Sequence, residues 1–255
     1  MSQFTVVIPA RYASTRLPGK PLLEIDGKPM ISHVVERALD SGASNVIVAT
    51  DDQRIADVVS GMDINVCMTR ADHPSGTDRL AEVAKQQGWD DQQMIINLQG
   101  DEPQMPAALL TQVFEALDAH PEAAIATLCT PISDAEELFD TNAVKVVMDS
   151  EGYAHYFSRA VIPWQRDWFA QYGTHTLPDG VNYYRHLGIY AYRAGFLKKY
   201  ASLSPAPTEE AESLEQLRAL WHGEKIHVSV AHEVPPAGID TEADLNRVRR
   251  LWPTS

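Results

Sequence analysis

Directly after the first apolar run of the chain comes Pro9-Ala10-Arg11-Tyr12-Ala13-Ser14-Thr15-Arg16-Leu17-Pro18-Gly19-Lys20-Pro21, a loop with three cations, two aliphatic hydroxyls and a glycine. A triphosphate is held best by guanidinium forks, an ammonium point charge and backbone N–H groups, which Arg11, Arg16 and Lys20 and their neighbours could supply. A solvated basic loop is the ordinary reading of such a cluster, and its position after a strand tips the balance toward an anion. Gly19-Lys20 and Gly27-Lys28 each precede proline instead of Ser or Thr, and no GxGxxG follows the first run, so both familiar nucleotide fingerprints fail.

Three further segments could share that chemistry. His73-Pro74-Ser75-Gly76-Thr77-Asp78-Arg79 leads into a helical segment, where N–H groups at a helix start suit an anion, although plain capping is commoner. Asn97-Leu98-Gln99-Gly100-Asp101-Glu102-Pro103 puts Asp101 at a strand end, where a carboxylate suits Mg²⁺ with water and phosphate oxygens; a turn-forming Asp is the alternative. Gly238-Ile239-Asp240-Thr241 places another Asp at a helix start, as a cap or a second metal ligand, and spacing does not separate the two.

These loops need strands and helices to carry them. Apolar, β-branched runs at residues 4–8, 45–49, 65–68 and 94–98 alternate with helical spacing at 31–39, 55–59 and 80–84, a βαβαβα rhythm. Continuous runs such as Val6-Val7-Ile8 and Met94-Ile95-Ile96 fit strands buried on both faces of a doubly wound, mostly parallel sheet, with ligands at the strands' carboxyl ends. The runs at 125–130, 144–148, 153–158 and 183–192 are more strand-like and aromatic, and predict an added mixed sheet region in the second half. Residues 166–182 carry breakers and little periodicity, which predicts an irregular, mobile excursion. Residues 213–221 read as a helix closed by Gly223, 226–231 as a strand, and 241–251 as a helix with a capping box of Thr241 and Asp244.

At 255 residues, one large α/β domain spanning 1–255 is expected, with 125–195 supplying the mixed sheet and a candidate dimer region. A formal charge of −14 disfavours nucleic acid and anionic membranes as partners, so an anionic ligand must be held locally. Cys67 and Cys129 sit in apolar runs, as buried hydrophobes in a reducing compartment would. Thr5-Val6-Val7-Ile8 followed by Pro9 and Arg11 falls far short of a signal-peptide core, so a cytoplasmic protein is expected.

The order and spacing of several strings are specific. The run 9–21, with Thr69-Arg70, Ser75-Gly76-Thr77-Asp78-Arg79, Gln99-Gly100-Asp101-Glu102-Pro103, Tyr156-Phe157-Ser158-Arg159, Arg185-His186-Leu187-Gly188 and Leu214-Glu215-Gln216-Leu217-Arg218, closely resembles the 3-deoxy-manno-octulosonate cytidylyltransferases. The likeness runs from Thr5 to about Leu251 and is poorest over 164–184. It implies a nucleotide-diphospho-sugar transferase type of α/β fold and a Mg²⁺-dependent homodimer. The reaction implied is transfer of CMP from CTP to the sugar acid 3-deoxy-manno-octulosonate (Kdo), for lipopolysaccharide synthesis. By resemblance, Arg11, Arg16 and Lys20 hold the triphosphate, with Arg16 and Lys20 catalytic. Pro9, Ala10, Ser14, Arg70, Ser75 and Gly76 surround the nucleotide, and Asp101 and Asp240 bind Mg²⁺. Arg79, Gln99, Arg159, His186, Glu215 and Gln216 form the Kdo pocket. Activation of another sugar acid, either an 8-amino analogue of Kdo or a sialic acid, is the nearest alternative. A catalytically silent nucleotide-binding regulator is a further one. An NAD-dependent dehydrogenase is disfavoured by the missing glycine fingerprint.

Overall fold

The computed structural model describes residues 3–13 and 17–252. In chain order the strands are β1 (Phe4–Ala10), β2 (Glu24–Ile25), β3 (Lys28–Pro29), β4 (Asn45–Thr50), β5 (Asn65–Met68), β6 (Met94–Asn97), β7 (Ile125–Pro131), β8 (Lys145–Met148), β9 (Ala154–Ser158), β10 (Tyr184–Arg193) and β11 (Ile226–Val230). The helices are α1 (Met30–Asp40), α2 (Gln53–Val59), α3 (Gly76–Gln87), α4 (Ala107–Ala119), α5 (Ala135–Phe139), α6 (Arg166–Tyr172), α7 (Ala194–Tyr200), α8 (Pro207–Glu212), α9 (Gln216–Trp221) and α10 (Glu242–Leu251).

One sheet runs through both halves of the chain in the order β11-β7-β10-β6-β1-β4-β5, with the β8–β9 hairpin attached to β10. β6, β1, β4 and β5 are parallel, as the apolar runs predicted, whereas β10 lies antiparallel between β6 and β7. From β1 the chain winds outward through β4 and β5 and then returns to place β6 on the other side of β1. The strand order therefore reverses between β1 and β6, and a crevice opens at their carboxyl ends.

Alternation along the strands splits the core into two layers. Val6 and Ile8 of β1, Val48 and Ile96 pack against Val34 of α1, Ile55 of α2 and Leu110 of α4. Val7, Ile47 and Ile95 pack against Leu80 and Val83 of α3 and Phe196 and Leu197 of α7. Burial on both faces is why these strands read as unbroken hydrophobic runs. Cys67 and Cys129 are buried and unpaired, and burial pushes the Cys129 thiol up to about 12.

Two expectations are corrected. The excursion at 166–182 contains α6, whose Phe169 is buried in a small cluster with Ile132, Leu138 and Tyr183; breakers on both sides hid a helix of only 7 residues. The helix read from 213 begins at Gln216, because Ser213 takes a left-handed backbone (φ 51°) and ends α8 instead. By contrast, the Thr241–Asp244 capping box opens α10 as expected.

At the edge of the sheet away from the crevice, the His120 and His227 rings stack at 3.5 Å, with Tyr153 edge-on to both. Burial, then the His120 ring, push His227 down to about 4, with Asp149 opposing. In the unfolded chain His titrates near ~6.5, so the unfolded state takes up the proton first and stability is lost as pH falls from about 6.5 toward about 4. The urea midpoint of the wild type is expected to drop across that window, and that of His227→Phe to drop less. Equal slopes would show that the pair does not govern acid sensitivity.

Candidate active site

A cleft of about 260 Å³ opens at the β1/β6 switch point, lined by Pro9, Ala10, Arg11, Lys20, Ser75, Gly76, Arg79, Gln99, Asp101 and Asp240 among others. A roomier hollow of about 620 Å³ lies beside α1, but its Lys28 and Glu36 are paired with each other at 2.6 Å. Chemistry, not volume, marks the smaller cleft.

Each wall has a local cause. β1 delivers Arg11 directly. Lys20 returns to the cleft because Gly19 N–H donates to the Tyr12 carbonyl at 3.1 Å, which closes the described ends of the loop. β6 delivers Gln99, Gly100 and Asp101, and a Cβ on Gly100 would stand 2.9 Å from the Pro9 carbonyl oxygen, so only glycine lets the β1 and β6 loops approach this closely. Asp240 arrives because Ile239 N–H donates to the Asp101 carbonyl at 3.0 Å while the Ile239 side chain is buried with Leu17, Ile25, Leu245 and Val248.

The result is a charge cluster. The Lys20 ammonium donates to Asp101 Oδ2 at 2.6 Å, to the Ile239 carbonyl at 3.0 Å and to Asp240 Oδ1 at 3.3 Å. Two carboxylates thus converge on one cation, and hard oxygen donors of this kind fit Mg²⁺, which takes one or two carboxylates and completes its shell with water and phosphate. Asp240 is not the helix cap: Thr241 is, with Asp244 closing the box. Beside them Glu102 was not singled out from sequence. Burial, then Asp101 and Asp240, push it up to about 8, so it stays largely protonated at neutral pH.

The opposite wall is α3. Ser75 caps it by accepting from Asp78 N–H at 3.2 Å, so its hydroxyl has the structural role that the capping alternative describes, while the helix's positive end faces the cleft. One turn on, the buried Arg79 donates to the Thr69 hydroxyl and lies 3.7 Å from Asp51. Burial draws its pKa down, Asp51 opposes this, and Arg11 lowers it further. Two guanidinium groups close enough to repel each other in one cleft form a site for an anion.

Other sequence candidates sit beyond the cleft's lining. Glu215 accepts from Thr77 Oγ1 at 2.8 Å at the start of α3, and burial raises its pKa. Neighbouring Gln216 is buried with its Nε2 unpartnered. Burial pushes His186 down to about 3, so it is neutral in any physiological range. The Thr127 hydroxyl donates to the Ile189 carbonyl at 2.7 Å and therefore accepts from His186 Nε2–H at 2.9 Å, leaving Nδ1 as an acceptor. Arg159 is turned to the Glu212 and Thr141 carbonyls, at 2.7 and 3.0 Å. Arg70 is exposed and pairs with Asp72. Neither arginine lines the cleft. Ser14 and Arg16 lie outside the described residues. Asn97, the last residue of β6, is fully buried with both amide atoms unpartnered. It lies inside the apolar run 94–98 and gave no signal of its own.

A crevice that gathers cations beside carboxylates, at the switch point of a mostly parallel sheet, fits a nucleotidyltransferase. Known proteins agree. Residues 5–226 match the cytidylyltransferase family. The chain is 59% identical to a 3-deoxy-manno-octulosonate cytidylyltransferase from Hahella chejuensis over 100% of both chains. It is 57% identical to one from Nitrosococcus oceani over 98% of this chain and 97% of that one. It superposes on a solved CMP:2-keto-3-deoxy-manno-octonic acid synthetase complexed with CTP with a TM-score of 0.88, at 44% identity and 98% coverage of both chains. A nucleotidyl transferase from Methanothermobacter thermautotroptrophicus, at 17% identity, TM-score 0.60 and coverage of 98% of this chain and 97% of that one, shares the fold. The chain belongs to the 3-deoxy-manno-octulosonate cytidylyltransferases, within the cytidylyltransferase family.

Proposed function

We propose that the protein transfers CMP from CTP to the anomeric hydroxyl of Kdo, giving CMP-Kdo and pyrophosphate and so activating Kdo for lipopolysaccharide synthesis. The observation that carries the reading is the meeting of Lys20, Asp101 and Asp240 opposite Arg11, Arg79 and the start of α3. The Kdo hydroxyl oxygen forms a bond to the α-phosphorus, the bond from that phosphorus to the bridging oxygen breaks, pyrophosphate leaves opposite, and the hydroxyl proton passes to solvent. Catalysis is then positioning and charge neutralisation.

Arg11 and Lys20 neutralise the triphosphate beside the α3 N-terminus, and backbone groups near Ala10, Ser75 and Gly76 face the nucleotide. Asp101 and Asp240 would hold Mg²⁺, which when bound polarises the α-phosphate and acidifies the attacking hydroxyl. Arg79 suits the Kdo carboxylate, and Gln99, with His186 Nδ1 as an acceptor, suits sugar hydroxyls. His186 serves as a neutral hydrogen-bond partner, not as an acid or base.

We also infer a homodimer acting in the cytoplasm. Trp164, in the loop between β9 and α6, and Tyr172, at the end of α6, are exposed, an aromatic surface suited to a second copy. The two free cysteines suit a reducing compartment, and among the described residues no helix is long and apolar enough to cross a membrane. One preparation tests these points. With Mg²⁺ and CTP, pyrophosphate release is expected with Kdo and not with N-acetylneuraminate, and sedimentation should give a dimer mass. Faster release with 8-amino-Kdo would reassign the sugar; silence with every sugar acid would sink the enzyme reading, and a monomer mass the dimer.

A further inference from the structure

We infer that Arg54, on α2 outside the cleft, is a positioning residue for nucleotide binding: through the ring of Tyr12 it holds the described ends of the phosphate loop at their working separation. The Arg54 guanidinium lies over the Tyr12 ring with its central carbon 3.5 Å from the ring centroid. It is fixed there by a two-pronged pair with Asp52, Nε to Oδ1 at 2.9 Å and Nη2 to Oδ2 at 2.6 Å. Asp52 is itself immobilised as the cap of α2, accepting from Arg54 N–H at 3.0 Å, and its own N–H donates to Thr50 Oγ1 at 3.2 Å, at the end of β4. The clamp is therefore built on β4, a strand paired on both sides.

Tyr12 in turn grips the far end of the loop. Its carbonyl accepts from Gly19 N–H at 3.1 Å, and a Cβ on Gly19 (φ 67°) would stand 3.2–3.3 Å from the ring atoms Cε2 and Cζ and the hydroxyl oxygen. Glycine is required there both for the left-handed backbone and for the contact with the ring. Arg11 precedes Tyr12 and Lys20 follows Gly19, so the ring sets the spacing between two cations of the cleft. A planar guanidinium locked by a bidentate pair loses little freedom in stacking, and an aromatic ring offers it a cation–π contact. The Arg54 side chain is 58% exposed, and a surface pair of this kind adds little to global stability. Its value is local: small displacements of groups that bind a reacting phosphate are costly.

The inference rests on the CTP reading above, and the test separates the two. Arg54→Ala and Tyr12→Ala are each expected to raise the half-saturating CTP concentration ~10-fold with the Kdo requirement nearly unchanged, and Arg54→Ala to leave the thermal midpoint nearly unchanged as well. The double variant should be no worse than Tyr12→Ala alone, because without the ring Arg54 has nothing left to hold. Multiplying effects, ~100-fold in the double variant, would mean that Arg54 acts on the nucleotide directly and would overturn the clamp. In protein without nucleotide, the Gly19 amide should exchange its hydrogen faster in Arg54→Ala than in wild type, and an unchanged rate would also overturn it. A wild type that ignores CTP refutes the substrate reading, while the Gly19 exchange rates still judge the clamp.

Discussion

Asp101→Asn and Asp240→Asn are each expected to lower turnover by ~10²-fold or more while the protein stays folded. A neutral amide of the same shape is a poor ligand for a hard divalent cation, and loss of one charged group facing a reacting phosphate commonly costs this much. Folding should survive because the amide keeps the side chain's shape and neither carboxylate caps a helix. Thr241 and Asp244 cap α10 without Asp240, and Asp101 is tied to the fold through its carbonyl, which accepts from Ile239. Removing either charge also eases Glu102, which burial first and then the two carboxylates push up to about 8. Pyrophosphate release at limiting and saturating Mg²⁺ checks the prediction. A variant with near-normal turnover at limiting Mg²⁺ would reduce that carboxylate to a partner of Lys20.

Lys20→Ala is expected to cost a similar factor, ~10²-fold in turnover, because it removes a cation placed to meet charge developing on the leaving oxygen. A second effect has the opposite sign. The ammonium now sits within 2.6 Å of Asp101 and 3.3 Å of Asp240, where it competes with any metal ion for the same oxygens. Without it, that competition is gone, so calorimetric titration of the variant with Mg²⁺ alone should show tighter binding than wild type. If turnover were kept and only the CTP requirement rose, Lys20 would be a ground-state phosphate ligand. If Mg²⁺ bound no more tightly, the carboxylate pair would not be the metal site.

Much of this protein was legible in the sequence because the signals are local. The buried parallel strands announce themselves as Val6-Val7-Ile8 and Met94-Ile95-Ile96, since a strand covered on both faces must be apolar throughout. The Thr241–Asp244 box marks the start of α10 because capping involves residues three apart. The phosphate loop, the Ser75-Gly76 turn and Asp101 all follow apolar runs, and a doubly wound sheet puts such positions at one edge.

The tertiary structure alone decided which of those positions meet. Lys20 lies 81 residues from Asp101 and 220 from Asp240, and no spacing rule spans such gaps. Their convergence depends on β6 returning beside β1 and on Ile239 burying itself against Leu17 and Ile25. Only the fold separated the two roles open to Asp240, by giving the cap to Thr241. It also turned Arg159 toward the carbonyls of Glu212 and Thr141, left Arg70 at the surface, and revealed Asn97, Glu102 and Arg54 near the site. The physical reason is common to all of these. Periodicity and caps are written by neighbours along the chain, whereas the charge, burial and partners of a side chain are set by whichever distant segments the sheet order brings against it.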